Sequence, residues 1–163
     1  MTKKAKLYLP LKRFIAICGS FVGIIVCAIL FWWWIIPVNA IVTKGHPFFV
    51  HERIGKDGKP FMMIKFRSMR NDVDPNSTSE FADHSNMVTP FGKFLRKTSL
   101  DETIQLLNIF VGQMAFIGPR PVINHHEDKI TIEERKQNGA IHLRPGLGGY
   151  AQVHGRVNVS PEE

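Results

Sequence analysis

From Phe14 to Ile36 the chain runs 23 residues without a charge, F-I-A-I-C-G-S-F-V-G-I-I-V-C-A-I-L-F-W-W-W-I-I. As an α-helix this run is ~35 Å long, enough to cross a hydrocarbon core of ~30 Å. It is too long for a signal peptide, and Trp32, Trp33 and Trp34 sit where small residues would precede cleavage. The tryptophans suit an interfacial anchor instead. Pro37 interrupts the run, and V-N-A-I-V extends it to Val42. Two topologies follow. The helix spans, or it enters, turns at the Pro37 break and returns to the side it came from. Cations flank both ends, which asks for both ends on the cytoplasmic side and so favours re-entry. The position of Pro37, near the end of the run, favours spanning.

The charge distribution narrows the function classes. The formal net charge is +7, yet Lys3, Lys4, Lys6, Lys12 and Arg13 supply five cations within the first 13 residues. From position 14 onward 16 cations face 14 acids. The excess is an N-terminal arm over residues 1–13, and the rest is nearly balanced. A nucleic-acid binder would carry its excess on the folded domain, so no nucleic acid is expected. Cys18 and Cys27 both lie in the apolar run and read as small hydrophobes rather than as a disulfide or zinc pair.

Beyond the membrane segment, placed at 14–42, residues 43–163 read as a mixed, helix-rich α/β domain. P-F-F-V-H-E-R-I-G is a strand ending at Gly55, Asp57-Gly58 is the core of a hairpin turn, and F-M-M-I-K-F-R-S-M is the return strand. Residues 71–88 form a polar loop, either a plain surface loop or a lid. T-P-F-G-K-F-L-R-K starts a short helix, and Ser99 opens the next. Ser99-Leu100-Asp101-Glu102 fits a capping box. Leu100, Ile104, Leu107 and Val111 then face the core, and Gly112 ends the helix. A further helix covers His125 to Gln137. His125, His126, Glu127 and Asp128 are too divergent on that helix to chelate a metal.

Asp101 and Glu102 admit two readings. Acids in a first turn are favoured by the helix dipole alone. The same pair could do chemistry, because cations on turns surround it in sequence. These are Lys65 and Arg67, Arg96 and Lys97, Arg120 in an apparently buried G-P-R-P turn, and Arg144 and Arg156 in R-P-G-L-G-G-Y-A-Q-V-H-G-R. Several Arg on rigid turns suit phosphate oxygens.

G-H-P-F-F-V-H-E-R-I-G, K-F-R-S-M, T-P-F-G-K-F-L-R-K-T-S-L-D-E, Q-L-L-N, G-P-R-P and R-P-G-L-G-G-Y-A-Q-V-H-G-R occur in that order. Over most of Lys12 to Arg156 the chain thereby resembles the bacterial sugar transferases, monotopic phosphoglycosyl transferases that act on polyprenyl phosphate. The resemblance implies transfer of sugar-1-phosphate from a nucleotide-diphosphate sugar, usually UDP-linked, to undecaprenyl phosphate. That is the initiating step of exopolysaccharide, capsule or O-antigen-type glycan synthesis. It makes Asp101 the nucleophile that forms a covalent phosphosugar intermediate, with Glu102 the second member of the pair and Mg²⁺ held by both. Lys65, Arg67, Arg96, Arg120, Arg144 and Arg156 become substrate-phosphate ligands. It also implies a re-entrant helix broken at Pro37, a bacterial inner membrane location and a catalytic domain on the cytoplasmic face.

The chain departs from the family pattern at several points. No Asp follows Lys12-Arg13 closely, Ile36-Pro37 replaces Ser-Pro, and Thr103-Ile104 replaces Leu-Pro. The domain is expected to be C-terminally short. A truncated, inactive homologue that binds the membrane or a partner, and a plain single-span anchor carrying a non-catalytic domain, are the competing expectations.

Overall fold

The computed structural model describes residues 3–70, 88–123 and 128–149. The polar loop apart from Val88, the stretch 124–127 with its two histidines, and Arg156 lie outside the described residues. The chain divides into two compact units, one of Met1–Val22, His51–Met63 and Gln105–Glu163, the other of Gly23–Val50 and Ile64–Ile104. The described part is mixed and helix-rich with two small sheets.

The apolar run is helical from end to end. Helix α1 covers Lys3–Cys27, a π-helical stretch covers Ala28–Trp32, and helix α2 covers Trp33–Thr43. Pro37 lies inside α2, and the helix continues through it. A proline removes one donor and kinks a helix that continues past it. A second irregularity lies earlier, at the π turn, where an extra residue shifts the phase of the side chains that follow. The run as a whole is the one helix among the described residues long and apolar enough to cross a membrane. Phe14, Ile15, Phe21, Val22, Ile25, Val26, Ile29, Leu30 and Trp33 are all exposed along it, as a lipid-facing surface would be.

In the unit that contains α2, a core forms from Trp32, Ile35, Phe66, Leu95 and Ile104. Trp32 is therefore a core residue rather than an interfacial anchor, and its indole N–H donates to Thr103 Oγ1 at 3.1 Å. Trp34 sets its ring edge-on to Phe91. Only Trp33 of the three points out. Asn39, fully buried, donates to the Pro47 carbonyl at 2.7 Å and fixes the exit of α2 toward the first strand.

Strands β1 (Phe48–Ile54) and β2 (Pro60–Phe66) form the expected hairpin. Asp57 and Gly58 both have positive φ, 59° and 73°, the requirement of a two-residue turn whose twist matches the strands. Helix α3 (Pro90–Lys97) starts at Thr89, whose side chain accepts from the Gly92 N–H. The Thr89 N–H in turn donates to the Ser68 carbonyl at 3.1 Å. At Gly92 any Cβ would lie 2.0 Å from that same Ser68 oxygen, so the first turn of α3 can reach the end of β2 only as glycine.

The segment after Ser99 departs from expectation. It is a 3-10 helix over Leu100–Gln105, followed by a short α4 over Leu106–Val111. Three residues per turn instead of 3.6 change which side chains face in. Ile104 is buried as expected, but Leu106 and Ile109 join it, while Leu107 and Val111 are exposed. Gly112 ends α4 in the left-handed region, as expected.

In the other unit, Asn108 organises the turn after α4. Its carbonyl accepts from the N–H groups of Gly112, Gln113 and Met114, and its side chain donates to the Met62 carbonyl at 2.8 Å. Strand β3 (Ala115–Ile117) pairs in parallel with β4 (Gly146–Gly148), a sheet the sequence reading missed. The G-P-R-P turn follows β3 directly, half-exposed rather than buried, with Arg120 exposed. Helix α5 (Asp128–Gln137) and the small core of Ile54, Val122 and Ile141 complete this unit.

Gly92→Ala is expected to cost about 3 kcal/mol, the upper end for a forced overlap, because the clash is with backbone and not with a flexible side chain. Chemical unfolding of the detergent-solubilised protein, with Lys93→Ala as a surface control on the same helix, measures it.

Candidate active site

Asp101 stands on the 3-10 helix that follows α3, two residues after a sharp corner. Ser99 makes that corner with φ of 56°, in the left-handed region. A non-glycine residue there costs on the order of 1 kcal/mol, and such strain concentrates at functional sites. The corner also replaces the expected capping box. A capping serine needs extended φ and offers its hydroxyl. Here the Ser99 carbonyl, not its side chain, accepts from the Glu102 N–H at 3.3 Å. The capping-box explanation for an acid at 102 is thereby removed, and both acids stand in the first turn of the 3-10 helix.

Asp101 is buried, with 8% of its surface exposed. Burial pushes its carboxyl above the ordinary aspartate range, and the neighbouring Glu102 pushes it the same way. Lys65, Arg96 and its own backbone N–H oppose the rise. Asp101, Glu102, Lys65 and Arg96, all singled out from sequence, are thus gathered from β2, α3 and the 3-10 helix into one field.

Each cation has a structural reason for its place. Arg96 donates from Nε to Ser68 Oγ at 2.8 Å, so the close approach at Gly92 also aims this guanidinium. One fork of the group is used, and its terminal nitrogens remain for a ligand. The Lys65 ammonium lies 5.2 Å from the centre of the Phe49 ring, and the Arg67 guanidinium lies 5.9 Å from the same ring. Both cations thus ride one aromatic face on β1. Arg67 also makes two long contacts, 3.4 Å each, to the Phe48 carbonyl.

Arg120 and Arg144 belong to the other unit. Arg144 donates from Nε to the Gly112 carbonyl at 2.8 Å. Arg156 lies outside the described residues. Sequence reasoning missed Ser68, Phe49 and Thr103. Ser68 and Phe49 sit inside quoted motifs, but nothing in their spacing marked them as supports for Arg96 and Lys65.

Among the described residues no group of three or more His, Cys, Asp or Glu gathers as a metal cage. A magnesium ion needs no cage. It commonly takes one or two carboxylates and completes its shell with waters and substrate phosphates. Adjacent carboxylates whose mutual repulsion raises one of them fit that requirement, because a divalent ion relieves the repulsion.

A buried carboxylate, a second acid beside it and several anchored cations suit chemistry on a phosphoryl group. The bacterial sugar transferase family model matches residues 7–163, and the chain belongs to that family. It is 32% identical over 94% of its length to a Streptococcus agalactiae protein named galactosyl transferase CpsE, of which it covers 35%. It is 38% identical over 74% of its length to the UDP-glucose:undecaprenyl-phosphate glucose-1-phosphate transferase of Xanthomonas campestris, covering 25% of that protein. It is 37% identical over 71% of its length to the exopolysaccharide production protein ExoY of Sinorhizobium fredii, covering 57% of it. The chain thus spans between a quarter and somewhat over half of these relatives.

The raised Asp101 carboxyl carries a stability consequence. Folding favours its neutral form, so the stabilisation is complete below the unfolded-state value and is lost as pH rises through the folded-state value. Asp101→Asn removes that loss. The variant is expected to match wild type in acid and to become the more stable of the two as pH rises to neutrality. Thermal unfolding across that range reads the difference.

Proposed function

We propose that this chain transfers sugar-1-phosphate from a nucleotide-diphosphate sugar to a polyprenyl phosphate in the membrane, with Asp101 as nucleophile. The observation that carries the reading is Asp101 itself, buried beside Glu102 and facing Lys65 and Arg96. A buried carboxylate is costly, and a functional role accounts for its retention.

In the first step an Asp101 carboxylate oxygen attacks the β-phosphorus of the donor. The bond from that phosphorus to the bridging oxygen breaks, and the nucleoside monophosphate leaves with the electron pair. In the second step a phosphate oxygen of undecaprenyl phosphate attacks the phosphorus of the aspartyl phosphosugar. The acyl phosphate bond breaks, Asp101 regains its charge, and a lipid diphosphate sugar results. Both steps bring an anion toward an anion. Lys65, Arg67 and Arg96, fixed by Phe49 and Ser68, lower that repulsion and hold the phosphate oxygens as charge spreads. Mg²⁺, held by Asp101 and Glu102, would supply further neutralisation of the diphosphate. The names of the relatives support a UDP-sugar donor and an undecaprenyl phosphate acceptor in exopolysaccharide synthesis. The apolar helix supports a membrane location, which for this chemistry is the bacterial inner membrane with the catalytic residues on its cytoplasmic face.

Asp101→Asn is expected to reduce nucleoside monophosphate release to background, and donor labelled in its β-phosphate should leave label on the wild-type chain only. Release at the wild-type rate from Asp101→Asn would end this reading. Arg96→Gln, which keeps the hydrogen bond to Ser68 within reach and removes the charge, is expected to slow transfer by about 100-fold.

A further inference from the structure

A cavity of about 520 Å³ lies in the unit that holds the start of α1, and its lining includes Lys12, Arg13, Lys56, Arg144, His142 and Asp57. None of the three neighbours that set the Asp101 carboxyl, Glu102, Lys65 and Arg96, lines it. Four fixed cations therefore face one acid. That acid is already engaged, because Asp57 accepts from His142 at 2.8 Å and pairs with Lys56 at 3.6 Å. The hydrogen bond from His142, above all, keeps Asp57 ionised below the ordinary range. The cavity has positive charge to spare and an anion as its complement.

The cations are set in place by backbone. Arg13 donates to the Ile109 carbonyl and, at 2.7 Å, to the Phe110 carbonyl, at the C-terminal end of α4. Arg144 uses only Nε, on Gly112, and its terminal nitrogens have no partner among the described residues. Lys12 reaches the Ile117 carbonyl at 3.0 Å and keeps two further hydrogens. Guanidinium and ammonium donors held this way lose little freedom on meeting an anion.

The surroundings say what carries the anion. Lys12 and Arg13 are the last charges before the uncharged run that begins at Phe14. Phe14 and Ile15 next to them are exposed, and so are Val111 at 66% and Ile117 at 68%. Phe110, whose carbonyl holds Arg13, sets its ring 6.1 Å from Phe21 on α1. Apolar side chains thus crowd the very carbonyls that the cations hold. A pocket for a soluble anion needs no such collar. A phosphate at the level where hydrocarbon ends does, because its acyl chains leave along the apolar surface.

We propose that this cavity seats the phosphate of an anionic membrane phospholipid, held by Lys12, Lys56 and Arg144 with Arg13 behind them, and so sets the depth of the unit at the membrane surface. The described lining lies within one unit of the chain. The site gives Arg144, expected from sequence among the substrate ligands, a different phosphate to hold.

The test uses the whole chain in micelles with equal amounts of phosphatidylglycerol and phosphatidylcholine, and counts retained lipids by native mass spectrometry. Wild type should keep phosphatidylglycerol in preference, and Lys12→Gln, Lys56→Gln and Arg144→Gln should each lower that preference about fivefold. Lys56 holds only its exposed neighbour Asp57, so Lys56→Gln carries the test if the other two lose their fold. Replacing Lys3, Lys4 and Lys6 by Gln together should leave the preference in place. An unchanged preference in Lys56→Gln, or its loss in the arm variant, overturns the proposal. Displacement of the lipid by millimolar inorganic phosphate or UDP would assign the cavity to a soluble anion and overturn it equally.

Discussion

The contact between the first turn of α3 and the end of β2 is the constraint on which the candidate active site depends. Gly92 lets the helix backbone reach Ser68, Thr89 seals the approach through its N–H, and Ser68 Oγ then receives Arg96. One close approach thus fixes the helix entry and the direction of a cation at its far end. Because α3 is only eight residues long, propensity could not hold it in place, and tertiary docking must. The left-handed corner at Ser99 is the consequence. The chain must leave a helix whose position is already set and still bring Asp101 back toward Lys65 on β2.

That arrangement leaves Asp101 in a balance of opposing effects. Burial and Glu102 favour the neutral acid, while Lys65 and Arg96 favour the carboxylate. A structural carboxylate would be expected to have its cations win outright, as paired surface acids do. Here burial is the larger influence. Fixed cations in a partly water-excluded site are worth most when a second, more highly charged anion arrives. A donor diphosphate is such an anion, and the field that only partly supports Asp101 would serve it better.

What could be read from the sequence follows the range of the interactions involved. The hairpin at Asp57-Gly58 and the stop at Gly112 depend on local φ, and both lie where turn chemistry puts them. The acid pair and its cations Lys65 and Arg96 were legible as a set, though only the resemblance to a family joined them. The capping box failed because its four-residue pattern says nothing about the tertiary docking that forces Ser99 into positive φ. The inward faces of Leu107 and Val111 failed for a related reason, since a stretch of 3-10 helix resets the phase on which the α pattern rests. The β3–β4 sheet was invisible because three residues of parallel pairing, closed between glycine-rich turns, leave no periodicity to detect. Arg144 was assigned by its motif alone. Its hydrogen bond to Gly112, 32 residues away, is a fact of the fold.

The apolar helix was the plainest feature of the sequence, and its most useful property was not. Length and lack of charge say only that it belongs in a membrane. Trp32 and Ile35 show that the helix is also a wall of the core that Phe66, Leu95 and Ile104 complete. Trp32 donates to Thr103, two residues from Asp101, and Thr103 donates in turn to the Leu100 carbonyl at 2.8 Å. The membrane helix and the segment bearing Asp101 are therefore one packed body rather than an anchor and its cargo. A tethered domain would have to find its lipid by diffusion at the end of a flexible arm. A helix built into the core ties the carboxylate to the apolar run, which suits the proposed reaction between a soluble donor and a lipid phosphate.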